Sequence, residues 1–229
     1  MDLVEAIETQ RAIRRLKPDP VDDQVLLRCL RLASKAPTGG NRQGVEWILV
    51  RDRERKAALG RQYRSAWSVY GGAGRLLYGN DESTRKIMDA VQWQVDHWED
   101  VPVVVVPCLR GIPLPFPAIL RSTRYGSVYP AVQNFLLAAR NEGLGATLTT
   151  LPLWSRIAAH RILDIPWNVE PVATIPVGWP RGRYGPTTRG PVERSTHLDR
   201  FGNRPFTEDP AMRIASAGAG RRRSRPPLG

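Results

Sequence analysis

The chain has 229 residues, with 34 Lys+Arg against 22 Asp+Glu, three His and two Cys. That length fits one substantial domain with room for a tail, and 41% hydrophobic with 24% charged residues is an ordinary globular composition. Cys29 and Cys108 alone cannot staple a disulfide-rich secreted scaffold. The longest apolar stretch, 103–108, falls far short of the ~20 residues a membrane-spanning helix requires. The opening Met1-Asp2-Leu3-Val4-Glu5 lacks a basic-then-apolar leader pattern, so a cytoplasmic protein is expected. The net charge of +12 is nearly all arginine, only four of the basic residues being lysine. No basic block is interleaved with aromatics in the way that stacks bases, which argues against a nucleic-acid partner.

In chain order, Leu3, Val4, Ile7 and Ile13 recur at helical spacing and predict a first helix that Pro18 and Pro20 stop. Asp22-Asp23 opens a second, with Val25/Leu26, Cys29/Leu30, Leu32/Ala33 and Ala36 as its apolar face. Pro37-Thr38-Gly39-Gly40-Asn41 then reads as a loop. Val45–Val50 reads as a strand, 51–64 as a charged helix, 70–74 as a flexible glycine-rich loop and 81–100 as a helix. The run 101–108 predicts a strand covered on both faces. Three prolines within 111–117 exclude regular structure there. A helix is predicted over 130–142, with Pro130 at its start and Gly143 just past its end. Residues 146–151 read as a strand, 153–163 as a short helix and 171–177 as another strand. From Gly178 onward Gly, Pro and Arg predict an extended arm, and 207–229 a disordered basic tail with five arginines against two carboxylates. This interleaving fits helices on both sides of a small sheet.

His97, His160 and His197 lie far apart and no His or Cys pair has ligand spacing, so no metal is expected. No Gly-x-Ser-x-Gly elbow supports a nucleophilic serine. Gly72-Ala73-Gly74 and Gly143-Leu144-Gly145 fall short of a dinucleotide fingerprint because neither follows a strand, and Gly143 by itself suits a helix C-cap. Three polar features remain. Arg11, Arg14 and Arg15 gather three guanidinium groups at the end of the first helix, either as a solvated face that suits the helix dipole or as a fork for a phosphate or anionic ring. Residues 36–43 offer backbone N–H groups and the Asn41 and Gln43 amides on a loop leading into a strand. Thr187-Thr188-Arg189-Gly190-Pro191 places an arginine on the late arm.

Together and in this order, these features resemble the FMN-dependent nitroreductase family. Residues 10–21 are similar to that family's opening Arg, small or polar residue, then Arg, running into Lys17-Pro18-Asp19-Pro20-Val21. Residues 36–47 resemble its Ala-Pro-Ser-x-x-Asn-x-Gln-Pro-Trp loop, 131–148 its helix ending in Gly-Leu-Gly, and 163–180 its late strand and Gly-Tyr-Pro turn. The resemblance covers roughly 3–206, apart from 60–125. Departures are Ala12 where a hydroxyl or imidazole is common, Gly44 in place of Pro, and Trp179 in place of Tyr.

The resemblance implies an α+β three-layer sandwich, a small mixed sheet between helices, with the C-terminal arm exchanged in a homodimer. It makes 1–206 the FMN-binding domain, with 65–125 as a variable cap, and 207–229 a tail. Two FMN molecules would lie at the subunit interface, each touched by both chains. Arg11 and Arg189 suit the phosphate, because a guanidinium offers paired donors. Arg14 suits the ribityl or the pyrimidine edge, where reduction accumulates negative charge. Asn41 and Gln43 match the ring's alternating donors and acceptors, and at Leu144 and Gly145 a missing Cβ would let backbone approach the ring. Ala12, Arg15, Pro37 and Thr38 complete the expected cofactor shell. No side chain is expected to be catalytic: NAD(P)H would deliver hydride to the flavin in a ping-pong scheme, and an aromatic acceptor (nitroaromatic, quinone or similar) would collect it. Trp67, Tyr70, Tyr78, Trp93, Trp98, Phe116 and Tyr125 could line a pocket for a planar acceptor or could simply be core. Other readings are a basic interaction protein, a flavin storage or sensor protein, and a flavin-consuming or dehalogenating enzyme on the same fold.

The tail reading is directly testable. Truncation after Phe206 leaves FMN content and NAD(P)H oxidation within about twofold, well under the tenfold change that 1.4 kcal/mol produces. A loss of an order of magnitude in either would place the tail in the site.

Overall fold

Strand β2 (Val103–Arg110) is buried along its whole length but for its last residue. Side chains alternate across a strand, so one stripe of β-branched residues supplies two cores. Val103, Val105 and Leu109 pack with α2 (Asp23–Ala33) and α5 (Ala118–Asn141). Val104, Val106 and Cys108 pack with Leu59, Tyr63 and Trp67 of α3 (Arg53–Tyr78), Val95 of α4 (Glu82–Asp96), Trp98, and Leu163 of α6 (Arg156–Leu163). The result is the expected three-layer sandwich. The computed structural model describes residues 1–78, 81–111 and 118–207.

β1 (Val45–Val50) lies antiparallel along one edge of β2, from Val45 opposite Leu109 to Val50 opposite Val104. Along the other edge run β4 (Val169–Pro171) and β5 (Ile175–Gly178), and β3 (Gly145–Ala146) pairs with the outer side of β5. Pro107 explains the break between β4 and β5. Its carbonyl accepts from Val172 N at 2.9 Å, so the N–H that proline lacks would have fallen on the same side. Every ladder among the described residues is antiparallel, where a mixed sheet was expected.

The first helix is shorter than its periodicity predicts. α1 (Leu3–Thr9) opens on an Asp2 cap that accepts from Glu5 N at 2.8 Å, and ends well before Pro18. Its apolar stripe stays outside, with Leu3 68%, Val4 63% and Ile7 54% exposed. The glycine-rich stretch at 70–74 lies inside α3 rather than in a loop. Leu59, Tyr63, Ala66 and Trp67 are buried at helical spacing, and that packing outweighs a cost of about 1 kcal/mol per interior glycine. Gly71 also has a steric role, since a Cβ there would stand 2.8 Å from the Trp67 indole. α5 likewise begins before Pro130, which sits in its interior and forfeits one backbone bond while Val128, Ala131, Val132 and Phe135 around it stay buried.

α5 ends at Gly143 as expected. Gly143 has φ +80°, its N–H reaches the Arg140 carbonyl at 3.1 Å, and Leu144 N reaches the Ala139 carbonyl at 2.8 Å. The strand expected over 146–151 is reduced to β3 and a single bridge between Thr149 and Thr174. The region 65–125 contains β2, so that part belongs to the sheet's centre and not to a cap. The proline-rich stretch expected to be irregular lies, over 112–117, outside the described residues, as does the tail from 208.

The chain divides into two compact units, Met1–Pro186 and Thr187–Gly229. Residues 179–181 still pair with the first unit, so the arm starts later than Gly178. In the second unit a short turn, Val192–Arg194, precedes a local knot in which Gly202 N donates to His197 Nδ1 at 3.1 Å. Phe201, in ring contact with His197, is 88% exposed. No helix among the described residues is long and apolar enough to cross a membrane.

Two glycines give opposite expectations. A Cβ at Gly145 would stand 2.7 Å from Ile13 Cγ2 and 2.8 Å from Leu16 Cδ2, so Gly145→Ala lowers unfolding free energy by about 1–3 kcal/mol. A Cβ at Gly72 meets nothing within 4 Å, so Gly72→Ala raises it by about 0.5–1 kcal/mol. Denaturant melting of both variants checks the pair.

Candidate functional site

The segment after α1 is extended, which corrects the placement of its arginines on a helix end. Gln10 closes the helix in β conformation, and Ile13 N then donates to the Ala146 carbonyl at 3.1 Å. Lys17 N reaches the Trp179 carbonyl at 2.8 Å, Leu16 bridges Pro180, and Arg181 returns a bond from its N–H to the Arg15 carbonyl at 3.0 Å. The chain from 13 to 17 is thus stitched like an added strand beside β3 and 179–181. Leu16 is buried and Ile13 half-buried against the second core, while Arg11, Ala12 and Arg15 are exposed.

Arg14 differs from its neighbours. Its guanidinium is half-buried, and burial lowers its pKa, with a weaker opposing influence from Tyr63. No carboxylate pairs with it among the described residues. A desolvated cation without a counter-charge is costly, so an anionic group is what this position favours. Tyr63 is 1% exposed, and its phenol donates to Gln94 Oε1 at 3.1 Å. Burial raises the Tyr63 pKa, against the effects of a hydrogen bond with Thr149 and of Arg14.

Leu144 and Gly145 adjoin this segment through β3, but the reason for the glycine is not the one expected. The space a Cβ would fill is held by Ile13 and Leu16, so Gly145 lets the 13–16 segment dock rather than a ring approach on that side. The N–H of Leu144 is committed to the Ala139 carbonyl. Its own carbonyl accepts from the Tyr184 hydroxyl, whose pKa burial pushes up to about 12. Arg140 lies 4.0 Å over the Tyr184 ring and donates through Nε to Thr9 Oγ1 at 2.9 Å. Tyr63, Gln94, Thr149, Arg140 and Tyr184 went unnoticed in the sequence, where no local motif marks them.

The loop at 37–43 is tightly turned. Gly40, Asn41 and Gln43 have φ of +60°, +53° and +48°, and left-handed backbone at a residue such as Gln43 costs about 1–3 kcal/mol. Thr38 Oγ1 accepts from Gln43 N at 3.1 Å, and the Gln43 amide donates to Asn41 Oδ1 at 3.4 Å. Gly39 N donates to Ser127 Oγ of α5 at 3.0 Å, which ties the loop down. Pro37, Asn41 and Gln43 are exposed and Thr38 is half-buried. Among the described residues no hydrogen bond or ion pair links this loop to 11–15 or to 144–145. Arg189 lies in the second unit, exposed, with Nη1 on the Thr188 carbonyl at 2.9 Å.

The aromatic residues expected at an acceptor pocket divide. Trp67 and Trp98 are core, with Trp67 donating to Gln92 Oε1 at 2.7 Å and Trp98 to the Lys56 carbonyl at 3.1 Å. Trp93 stacks on His97 at 4.1 Å, and Tyr125 donates to Glu170 at 3.0 Å. Tyr70 is exposed. Phe116 and the Tyr78 side chain lie outside the described residues.

Comparison with known proteins bears on this arrangement. The model of the nitroreductase family matches residues 7–179. A Methanothermobacter thermautotrophicus protein named "Putative NADH dehydrogenase/NAD(P)H nitroreductase" is 28% identical over 203 residues, 88% of each chain. A Rhodospirillum rubrum 5,6-dimethylbenzimidazole synthase is 27% identical over 180 residues, 76% of this chain and 80% of its own. Among solved structures, an iodotyrosine deiodinase bound to FMN and 3-iodo-L-tyrosine superposes with a TM-score of 0.67 at 20% identity, covering 87% of this chain and 98% of that one. At that identity the likeness shows the fold. With the family match spanning most of the chain, from the end of α1 to Trp179, the protein belongs to the nitroreductase family.

Proposed function

We propose that the protein is an FMN-dependent oxidoreductase that uses NAD(P)H to reduce a planar aromatic acceptor, nitroaromatic or quinone, and works as a cytoplasmic homodimer. The observation that carries this reading is Arg14, a half-buried guanidinium with no carboxylate beside it among the described residues, in a stitched extended segment beside β3. The pyrimidine edge of a flavin, which gains negative charge on reduction, supplies the counter-charge that this position lacks. Bound FMN would supply the redox chemistry, taking hydride from NAD(P)H and giving up its electrons in a second half-reaction.

The remaining chemistry is binding and orientation. Arg11 would hold the phosphate, since it is an exposed fork of donors, and Arg189, exposed on the arm, is a fork of the same kind. The other expected groups, Ala12, Arg15, Pro37, Thr38, Asn41 and Gln43, would contact the ring and ribityl chain. The exposed apolar stripe of α1 supports a second copy, because Leu3, Val4 and Ile7 have little to bury against within their own chain.

The names of relatives favour a second reading. A dimethylbenzimidazole synthase and an iodotyrosine deiodinase share this family and fold, so flavin consumption or reductive dehalogenation is the alternative chemistry. Steady-state NAD(P)H oxidation with a nitroaromatic or quinone acceptor, beside release of halide from a halogenated phenol, separates the two.

Purified protein binds one FMN per chain and sediments as a dimer at low micromolar concentration. A protein that refuses added FMN contradicts the cofactor, and a monomer retaining full flavin contradicts the interface. Arg11→Ala weakens FMN binding by about 1.5–3 kcal/mol, the range for a hydrogen bond to a charged group. An unchanged dissociation constant would return Arg11 to the solvated surface.

A further inference from the structure

The loop before β1 is built in a conformation that its residues do not all favour. Gly40, Asn41 and Gln43 carry left-handed backbone, at φ +60°, +53° and +48°. Glycine and asparagine tolerate that region, but glutamine is strained there and stays only where its surroundings over-determine it. Hydrogen bonds do this here. Asn41 N donates to the Thr38 carbonyl at 2.9 Å, and Arg42 N to the Gly39 carbonyl at 3.4 Å. Thr38 Oγ1 accepts from Gln43 N at 3.1 Å, which holds the glutamine directly. A further bond comes from outside the loop, Gly39 N donating to Ser127 Oγ of α5 at 3.0 Å.

Ser127 is arranged as an acceptor. Its own proton goes to the Thr123 carbonyl one turn back, at 3.3 Å, so lone pairs are what it offers to Gly39. The helix gains nothing from a serine at this place. Alanine has the higher helix propensity, and bonding back to the carbonyl four residues earlier slightly destabilises a helix. Gly39 in turn is held on both sides, its N–H by α5 and its carbonyl by Arg42. The turn that bears Asn41 and Gln43 is therefore hung from α5 at Gly39. Its far end is fastened to β2, where Arg110 N donates to the Gly44 carbonyl at 2.8 Å.

What the loop presents is a pair of amides. Gln43 Nε2 donates to Asn41 Oδ1 at 3.4 Å, and both side chains are exposed. The pair still offers the Asn41 amide N–H groups as donors and Gln43 Oε1 as an acceptor, side by side. We propose that Ser127, through its bond to Gly39, is a positioning residue that sets the Asn41 and Gln43 amides in register for the donor–acceptor edge of bound flavin. Ser127 does not itself touch the cofactor, and the inference rests on the FMN reading given above.

The test uses full-length protein loaded with FMN, with the variants Ser127→Ala, Ser127→Thr and Thr123→Val. The readouts are the FMN dissociation constant from flavin fluorescence quenching, the absorption bands of bound flavin, and the melting temperature of the FMN-free protein. Ser127→Ala raises the dissociation constant about three- to tenfold, in line with the loss of one hydrogen bond, and shifts the bands. Ser127→Thr keeps the hydroxyl and restores both. Thr123 lies on the same face, its Cγ2 3.7 Å from where a Cβ on Gly39 would stand, and its hydroxyl is spent on the Ile119 carbonyl. Thr123→Val therefore keeps wild-type affinity and bands. A serine that only served α5 would move the melting temperature and leave affinity and bands unchanged. That result in Ser127→Ala overturns the proposal while leaving the FMN reading intact, as does a Ser127→Thr variant no better than Ser127→Ala, or a Thr123→Val variant equally weak. A wild-type protein that takes up no FMN overturns both.

Discussion

A guanidinium partly withdrawn from water, with no carboxylate beside it among the described residues, is an unfavourable thing to build, and the fold goes to some length to build one at Arg14. The segment that carries it has no helix of its own. It is held by backbone bonds from Ile13 to Ala146 and from Lys17 to Trp179, and by the burial of Leu16. Gly145 makes that docking possible by leaving room for Ile13 and Leu16. The Schellman turn at Gly143 delivers the chain from α5 into β3, and Tyr184 closes over Leu144. A series of otherwise unrelated local features thus acts on one side chain.

The sheet is the rigid body on which this depends. β2 is buried on both faces, so its valines tie α2 and α5 on one side to α3, α4 and α6 on the other. Tyr63 and Leu16 belong to the second of these cores, and Ile13 packs against it. The large net charge of +12 reads differently in this light. Six arginines form ion pairs among the described residues, most of them solvent-exposed, such as Arg51 with Asp23 and Arg55 with Asp164, and exposed pairs of this kind contribute little. Arg14, by contrast, is half-buried with no ion pair among the described residues.

Much of the frame was legible because its signals are local or periodic. The two-faced run of β2, the amphipathic α2 and the Gly143 cap each follow from residues a few positions apart. The errors share a cause as well. Gly71 and Gly72 read as a loop until the buried Tyr63 and Trp67 show that tertiary packing carries the helix through them. Pro130 reads as a helix start, yet the α5 core extends to both sides of it. Arg11, Arg14 and Arg15 were visible as a cluster, but which of them is buried depends on β3 and Trp179, far along the chain. Tyr63 and Gln94 lie 31 residues apart, and Arg140 and Thr9 131 apart, with no motif joining them. Pairings of that kind are products of topology.

If Arg14 is kept for a ligand at the expense of the empty fold, removing its charge has two opposite consequences. The decisive measurement is the melting temperature of FMN-free protein, taken together with its FMN dissociation constant, for wild type and Arg14→Met. Methionine fills a similar volume without a charge to desolvate. The expected result is a variant that melts higher than wild type when FMN-free and binds FMN about tenfold or more weakly. A variant that melts lower and binds FMN as tightly as wild type would show that Arg14 serves the fold, and that the flavin site has been placed around the wrong residue.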